Sequence, residues 1–201
     1  MPRIPKGQTV PLNVTQKARR RIFVGLGWDP NEEISVKDKA MSALGLQDNH
    51  HDLDLSCYIF DKNKRYISHV SVEEGHGVDQ TGKIYHSGDN VEGVGDGDDE
   101  QISVELKDLD EVITTIVFKA SIKTGHTFDE VADPEIRLAD GYSDHNFLNV
   151  SLLSAENNNK TAFIFASLIK DAEGQWTARH IGEFIDLPED GNWSELLKAY
   201  I

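Results

Sequence analysis

Apolar and polar residues alternate with a period of two along most of this chain, and that pattern excludes a fold built on amphipathic helices. Arg21-Ile-Phe-Val-Gly-Leu-Gly-Trp28, Leu53-Asp-Leu-Ser-Cys-Tyr-Ile-Phe60 and Gln101-Ile-Ser-Val-Glu-Leu106 each put their apolar side chains on one side of an extended backbone. Successive strand side chains point to opposite faces, so these segments read as half-buried strands. Val112 to Phe118, Phe147 to Leu153, Thr161 to Ile169 and Trp176 to Ile185 continue the rhythm with β-branched and aromatic residues, the types that fit a pleated surface. Asp61-Lys-Asn, Ala139-Asp-Gly, Glu156-Asn-Asn-Asn and Asp171-Ala-Glu-Gly supply turn chemistry between them, which predicts hairpins and about nine to eleven strands in all. Only short helical stretches are expected, at Lys37 to Leu44 and at Trp193 to Tyr200, the latter capped by Asn192 or Gly191. With no β-α-β rhythm, the expectation is an all-β, antiparallel β-sandwich of two packed sheets with short peripheral helices, a single domain over residues 1 to 201.

Charge narrows the function. The chain carries 20 Lys+Arg against 35 Asp+Glu, a formal charge of −15. Nucleic-acid affinity rests mainly on basic side chains displacing counterions, so direct nucleic-acid binding is not expected. The lone cysteine, Cys57, cannot form an internal disulfide, which suits a reducing compartment. The N-terminal Met-Pro-Arg-Ile-Pro-Lys-Gly lacks the apolar stretch of a secretory signal, and the apolar run from Ala162 to Ile169 is far too short to span a bilayer. A cytoplasmic location without membrane insertion is expected.

One segment breaks the strand rhythm in a chemically pointed way. From Gly88 to Glu100 the chain reads Gly-Asp-Asn-Val-Glu-Gly-Val-Gly-Asp-Gly-Asp-Asp-Glu, with Asp89, Glu92, Asp96, Asp98, Asp99 and Glu100 and no basic residue. Carboxylates held a few ångströms apart repel one another, so a loop gathering them calls for a cation. The interleaved Gly88, Gly93, Gly95 and Gly97 let the backbone turn its carbonyls inward. Carboxylates, carbonyls and Asn90 make an all-oxygen ligand set in a flexible cage, which suits Ca²⁺ better than Mg²⁺ or Zn²⁺. Asp52 and Asp54, two apart at the start of a strand, share a face and can add to it; Asp29 is a further candidate. An EF-hand is excluded, because Gln101 stands at the required glycine and Lys107 at the bidentate glutamate.

Taken in order, Gly25-Leu-Gly-Trp-Asp29, Asp52-Leu-Asp-Leu-Ser56, Gly88-Asp-Asn90, Gly93-x-Gly95 and Gly97-Asp-Asp-Glu-Gln101 resemble the tellurium-resistance TerD family over most of the chain. The resemblance implies a calcium-binding β-sandwich from bacterial systems linked to tellurite and other chemical stress, phage defence and colicin resistance. Carried over by position, it implies Asp52, Asp54, Asp89, Asn90, Asp98, Asp99 and Glu100 as calcium ligands, holding two neighbouring ions rather than one. It also implies partners among other stress-resistance proteins, including a membrane-associated complex. The chain departs from the commoner pattern at Ser87, at Glu92 and in the segment from Asn31 to His51, leaving the acidic ligands intact.

Other chemistries fit less well. Neighbouring His50 and His51 would point to opposite faces of a strand, and no His-x-His or Cys-x-x-Cys pair is present to chelate zinc, although Glu73-Glu74-Gly-His76 stands nearby. His86, beside the acidic loop, reads as a surface histidine that can also tune the loop by protonation. Ser143, Asp144 and His145 are consecutive, which suits a turn and not a catalytic triad. Gly93-x-Gly95-x-Gly97 ends on Asp98, and its carboxylates would repel a phosphate. Cys57 shares a face with Leu55 and Ile59 and reads as core, a poor thiol for reducing tellurite. Trp28, Trp176 and Trp193 read as core or interface anchors. The expectation is a non-enzymatic calcium-binding module; the alternative is a calcium-dependent enzyme acting on a small or phosphorylated substrate.

Overall fold

A computed structural model describes residues 5–15, 17–29, 52–88, 97–122, 126–143, 145–153, 159–188 and 191–201. Among them eleven strands form two antiparallel sheets. The first, sheet A, contains β1 (Thr9–Pro11), β11 (Trp176–Ile185), β10 (Ala162–Lys170), β7 (Thr115–Ile122), β3 (Leu53–Phe60) and β4 (Tyr66–Val70), in that spatial order. The second, sheet B, runs β5 (Ile84–His86), β6 (Glu100–Glu105), β2 (Arg21–Asp29), β8 (Ala132–Asp140) and β9 (Asn146–Ser151).

The expected sandwich is present, and the alternation assigns its inner faces. Ile22, Val24, Leu26 and Trp28 of β2 meet Leu53, Leu55, Cys57 and Ile59 of β3 in one buried cluster, joined by Ile116, Phe118, Ala120 and Ile122 of β7. Each such side chain contributes roughly 1.5–3 kcal/mol by leaving water. In β10 the register shifts between Ile164 and Ala166, so Phe165 and Ala166 both join the core cluster, as a β-bulge permits.

Sheet A departs from the half-buried expectation. Every residue of β7 is buried, and so is every residue of β3 but Tyr58. The cover on its outer face is the C-terminal segment. A short helix α1 (Trp193–Leu196) and a 3-10 turn (Leu197–Tyr200) lay Leu197 against Phe60, Val117, Ile164 and Ile181, with Trp193 and Leu196 beside it. Asn192, one of the two expected caps, accepts the Glu195 N–H on its side chain at 3.2 Å. The polar residues of that face are therefore sealed in: Asp54, Ser56, Lys119 and Ser121 are each no more than 4 % exposed. Lys119 donates to Ser121 Oγ at 2.9 Å and lies 4.3 Å from the centre of the Trp193 ring, a desolvated cation on an aromatic face.

Boundaries moved where turns intervene. The strand expected from Val112 starts at Thr115 and runs on to Ile122; Val112 sits in an exposed turn whose N–H bonds to Asp110. The expected helix at Lys37 to Leu44 and the turn at Glu156 lie outside the described residues. Asp61 and Asp171 make the anticipated turns, accepting the N–H groups of Asn63 and Arg65 and of Gln175.

Candidate metal centre

The acidic residues collect at the end of the sandwich where β2 finishes and β3 and β6 begin. The register sets this meeting place: Leu26 pairs with Glu100 across β2 and β6, while Leu53 opens β3 opposite Ile122. Asp89 and Asn90, with Glu92 and Asp96, lie outside the described residues. The remaining candidates fall into two groups.

The inner group centres on Glu100. It shares the inward parity of Ile102 and Val104, so its side chain enters the space between the sheets, where it is 0 % exposed. Oε2 accepts the Leu55 N–H at 2.7 Å and lies 3.4 Å from His86 Nε2, whose side chain is 1 % exposed. His86 is thus no surface histidine: β5 pairs His86 with Ile102 and turns the ring inward. Glu100 Oε1 is buried with no hydrogen-bond partner among the described residues. Burial pushes the Glu100 carboxyl above its ordinary range, the bonds from His86 and Leu55 pull against this, and the charge of Asp54 adds to it. Asp52 lies half-buried just before Leu53, and Asp54, between the core-facing Leu53 and Leu55, is on the outer face of sheet A and reaches Glu100 only through its charge.

The rim group lies on sheet B. The Asp99 N–H donates to the Leu26 carbonyl at 2.8 Å, and Asp99 Oδ2 accepts the Trp28 N–H at 2.9 Å, so the loop is stitched along the end of β2. Burial raises the Asp99 pKa; the Trp28 bond opposes this, and the charges of Asp98 and Asp29 reinforce it. Asp98 is held differently from the other acids. Both of its oxygens are taken by Arg137, Nε to Oδ1 and Nη2 to Oδ2 at 2.8 Å each, and Oδ2 also accepts from Gln101 at 2.9 Å. This fork-on-fork pair is among the stronger charge-assisted contacts. Arg137 in turn rests over the Phe23 ring at 5.0 Å. The clamp faces a cleft of about 520 Å³ whose walls include Asp29, Asp133, Glu135 and Asn149.

Two glycines make this approach possible. A Cβ on Gly25 would land in the Asp98 carboxylate, and one on Gly27 would lie 2.7 Å from the Gly97 carbonyl oxygen. Arg137 does not stand out as a site residue in the sequence, and Gly25 and Gly27 do so only as part of the Gly25-Leu-Gly-Trp-Asp29 motif. The available signal is two glycines on alternate positions of one strand, which marks a surface that another backbone approaches closely.

Glu100 is a buried carboxylate with one oxygen unpartnered among the described residues, and burial and the charge of Asp54 disfavour its ionisation; a divalent cation is one partner that would relieve that cost. Of the three consecutive residues that cannot form a triad, Ser143 Oγ accepts the His145 N–H at 3.4 Å and the His145 ring meets Phe147 edge-on at 5.0 Å; Asp144 lies outside the described residues. No helix among the described residues is long and apolar enough to cross a membrane.

Comparison with known proteins adds relatives. The TerD domain family model matches residues 2–191. Tellurium resistance protein TerX of Serratia marcescens is 31% identical over 203 residues, covering 90% of this chain and 91% of its own. General stress protein 16U of Bacillus subtilis is 27% identical, covering 89% and 88%. The crystal structure of a homologue of telluride resistance protein (TerD), SCO6318 from Streptomyces coelicolor A3(2), superposes with a TM-score of 0.67 at 22% identity, over 89% of this chain and 94% of that one; at that identity the likeness speaks for the fold.

Proposed function

The chain belongs to the TerD domain family, and on that premise we propose that it is a calcium-binding, non-enzymatic cytoplasmic module of a tellurite and chemical-stress resistance system. Its relatives carry the names of tellurium resistance and general stress proteins. In this reading calcium organises the acidic end of the sandwich into a surface that binds other stress-resistance proteins, a membrane-associated complex among them.

The observation that carries the calcium assignment is Glu100, wholly buried with Oε1 unpartnered among the described residues and Asp54 nearby. A buried ionised carboxylate is costly unless it is paired or bound to a metal. Glu100 from between the sheets, with Asp52 and Asp54 reaching round the open edge of β3 from the outer face of sheet A, would hold one ion, and Asp99 with Asp29 a second at the rim, with Asp89 and Asn90 completing them. Asp98 would act chiefly as the clamp to Arg137 that fixes the loop on β2. Bound Ca²⁺ would supply the positive charge that lets these carboxylates ionise together. Leu55 and Trp28 orient two of them through backbone N–H groups, and Arg137 keeps the loop in place.

Isothermal titration of chelator-stripped protein with Ca²⁺ and then Mg²⁺, with a melting curve at each end point, tests the assignment. Calcium held only by the folded state stabilises it by about 2.7 kcal/mol at a hundredfold excess over Kd. Tight Ca²⁺ binding with weak Mg²⁺ competition and a clear rise in Tm is expected. Absence of both Ca²⁺ heat and a thermal shift overturns the reading.

A further inference from the structure

A second cluster of metal-binding side chains lies on the outer face of sheet A, built from His69, Glu73 and His76. One donor atom from each lies within 4.8 Å of the others. His69 stands on β4 directly across from Tyr58. The chain then folds back: the Ser71 N–H donates to the His76 carbonyl at 3.0 Å, and the His76 N–H to the Glu73 carbonyl at 2.9 Å. This turn brings together residues four and three apart that a continuing strand would have spread along its length.

The His69 ring is fixed in the way metal-ligating imidazoles usually are. Tyr58 stacks on it at 5.2 Å, and Nδ1 is hydrogen-bonded to Tyr66 Oη at 2.6 Å. A metal would require the tautomer with the ring proton on Nδ1, donated to Tyr66, which leaves a lone pair on Nε2, the atom that faces Glu73 Oε2 at 3.7 Å. An outer partner that sets tautomer and orientation is the usual support of a histidine ligand. His76 stacks on the same ring, centroids 4.0 Å apart and planes 15° apart, and is partly exposed, so a rotation of its side chain would be needed to turn its lone pair toward the point that Nε2 and Glu73 face.

We propose that His69, Glu73 and His76 form a zinc-class metal site, separate from the calcium centre, with Tyr66 as its positioning residue. Two imidazoles and a carboxylate suit Zn²⁺ and its neighbours and do not suit Ca²⁺, which prefers oxygen throughout. Three protein ligands leave a fourth position exchangeable. Glu73 also lines a cavity of about 200 Å³ with Asp54, Ser56, Tyr58, Lys119 and Trp193, so a chamber with room for a few waters adjoins the cluster.

The test is a Zn²⁺ titration of tag-free, calcium-saturated protein against a chromophoric competitor, with Co²⁺ as a spectroscopic substitute. Calcium saturation keeps the acidic end out of the measurement, so this site stands or falls independently of the calcium reading. One equivalent of Zn²⁺ should bind at micromolar concentration or tighter. His76→Ala lies on a surface turn and should keep the wild-type Tm while losing that equivalent and the Co²⁺ visible bands. Tyr66→Phe should retain the stoichiometry and weaken affinity about tenfold or more, the usual cost of losing an outer partner. No binding at micromolar Zn²⁺, or binding that survives unchanged in both His69→Ala and His76→Ala, overturns the proposal.

Discussion

Glu100 and Leu55 belong to different sheets, yet the Glu100 carboxylate accepts the Leu55 backbone N–H at 2.7 Å. Pairing between β3 and β4 reaches only to Cys57 and Val70, so beyond that point β3 presents an open edge, and an acid from β6 satisfies it. The residue argued to hold calcium thus also completes the hydrogen bonding of the fold.

This dual role gives a signed pH prediction. The folded-state pKa of Glu100 lies above its ordinary value of 4.5. Between the two values the folded state binds more protons than the unfolded one, so stability contributed by this group falls as pH rises through that window. In chelator-stripped protein the contribution of this one group to Tm should therefore fall on going upward from pH near 4.5, read as the difference between wild type and Glu100→Gln. Glu100→Gln, which retains an oxygen for Leu55, should flatten this loss, raise Tm in chelator at neutral pH, and remove most of the roughly 2.7 kcal/mol calcium gain. Melting curves across pH with and without Ca²⁺ read all three; an unchanged calcium shift in the variant would detach Glu100 from the ion.

Gly25 and Asp98 are coupled by space. Gly25→Ala should cost about 1–3 kcal/mol by forcing the Asp98 carboxylate off its seat beneath Arg137. In an Asp98→Ala background the same substitution should cost little. Urea denaturation of the four proteins of this cycle measures the coupling, and equal costs in both backgrounds would contradict the steric account.

The outer cover of sheet A should be structural in its own right. Leu197 is fully buried against Phe60, Val117, Ile164 and Ile181, so Leu197→Ala should destabilise by about 2–5 kcal/mol. Chemical denaturation checks this, and a loss within a few tenths would mean that the C-terminal segment is only loosely held.

Cys57 should be inert in the native state. Its side chain is wholly buried, and burial pushes the thiol pKa far up, leaving no thiolate to react. A chromogenic thiol reagent should label it only after denaturant is added; rapid native labelling would reopen a direct redox role.

The period-two pattern made the two-sheet sandwich and its inner core legible, because burial of one strand face is a local property that alternation records. Leu53, Leu55, Cys57 and Ile59 are all where that reading puts them. It understated β3 and β7, whose second faces are covered by a segment more than seventy residues further along the chain from Lys119. Asp54 and Lys119 look solvent-facing in a strand read alone, since nothing local encodes what will later lie on top of them.

At the acidic end, composition and spacing single out a group of carboxylates interleaved with glycine, because like charges held together demand compensation wherever they fold. Which carboxylate faces what depended on strand pairing. Parity in β6 sends Glu100 inward to Leu55 and His86, while the loop before it lays Asp98 over Gly25 onto Arg137 from a different strand. The joining of His69 to His76 likewise needed a turn closed by backbone hydrogen bonds. Sequence alone determined the periodicity, the charge and the kind of chemistry that a clustered set of oxygens can perform. Tertiary structure decided the partners, because hydrogen bonds and desolvation act between residues that only folding makes neighbours.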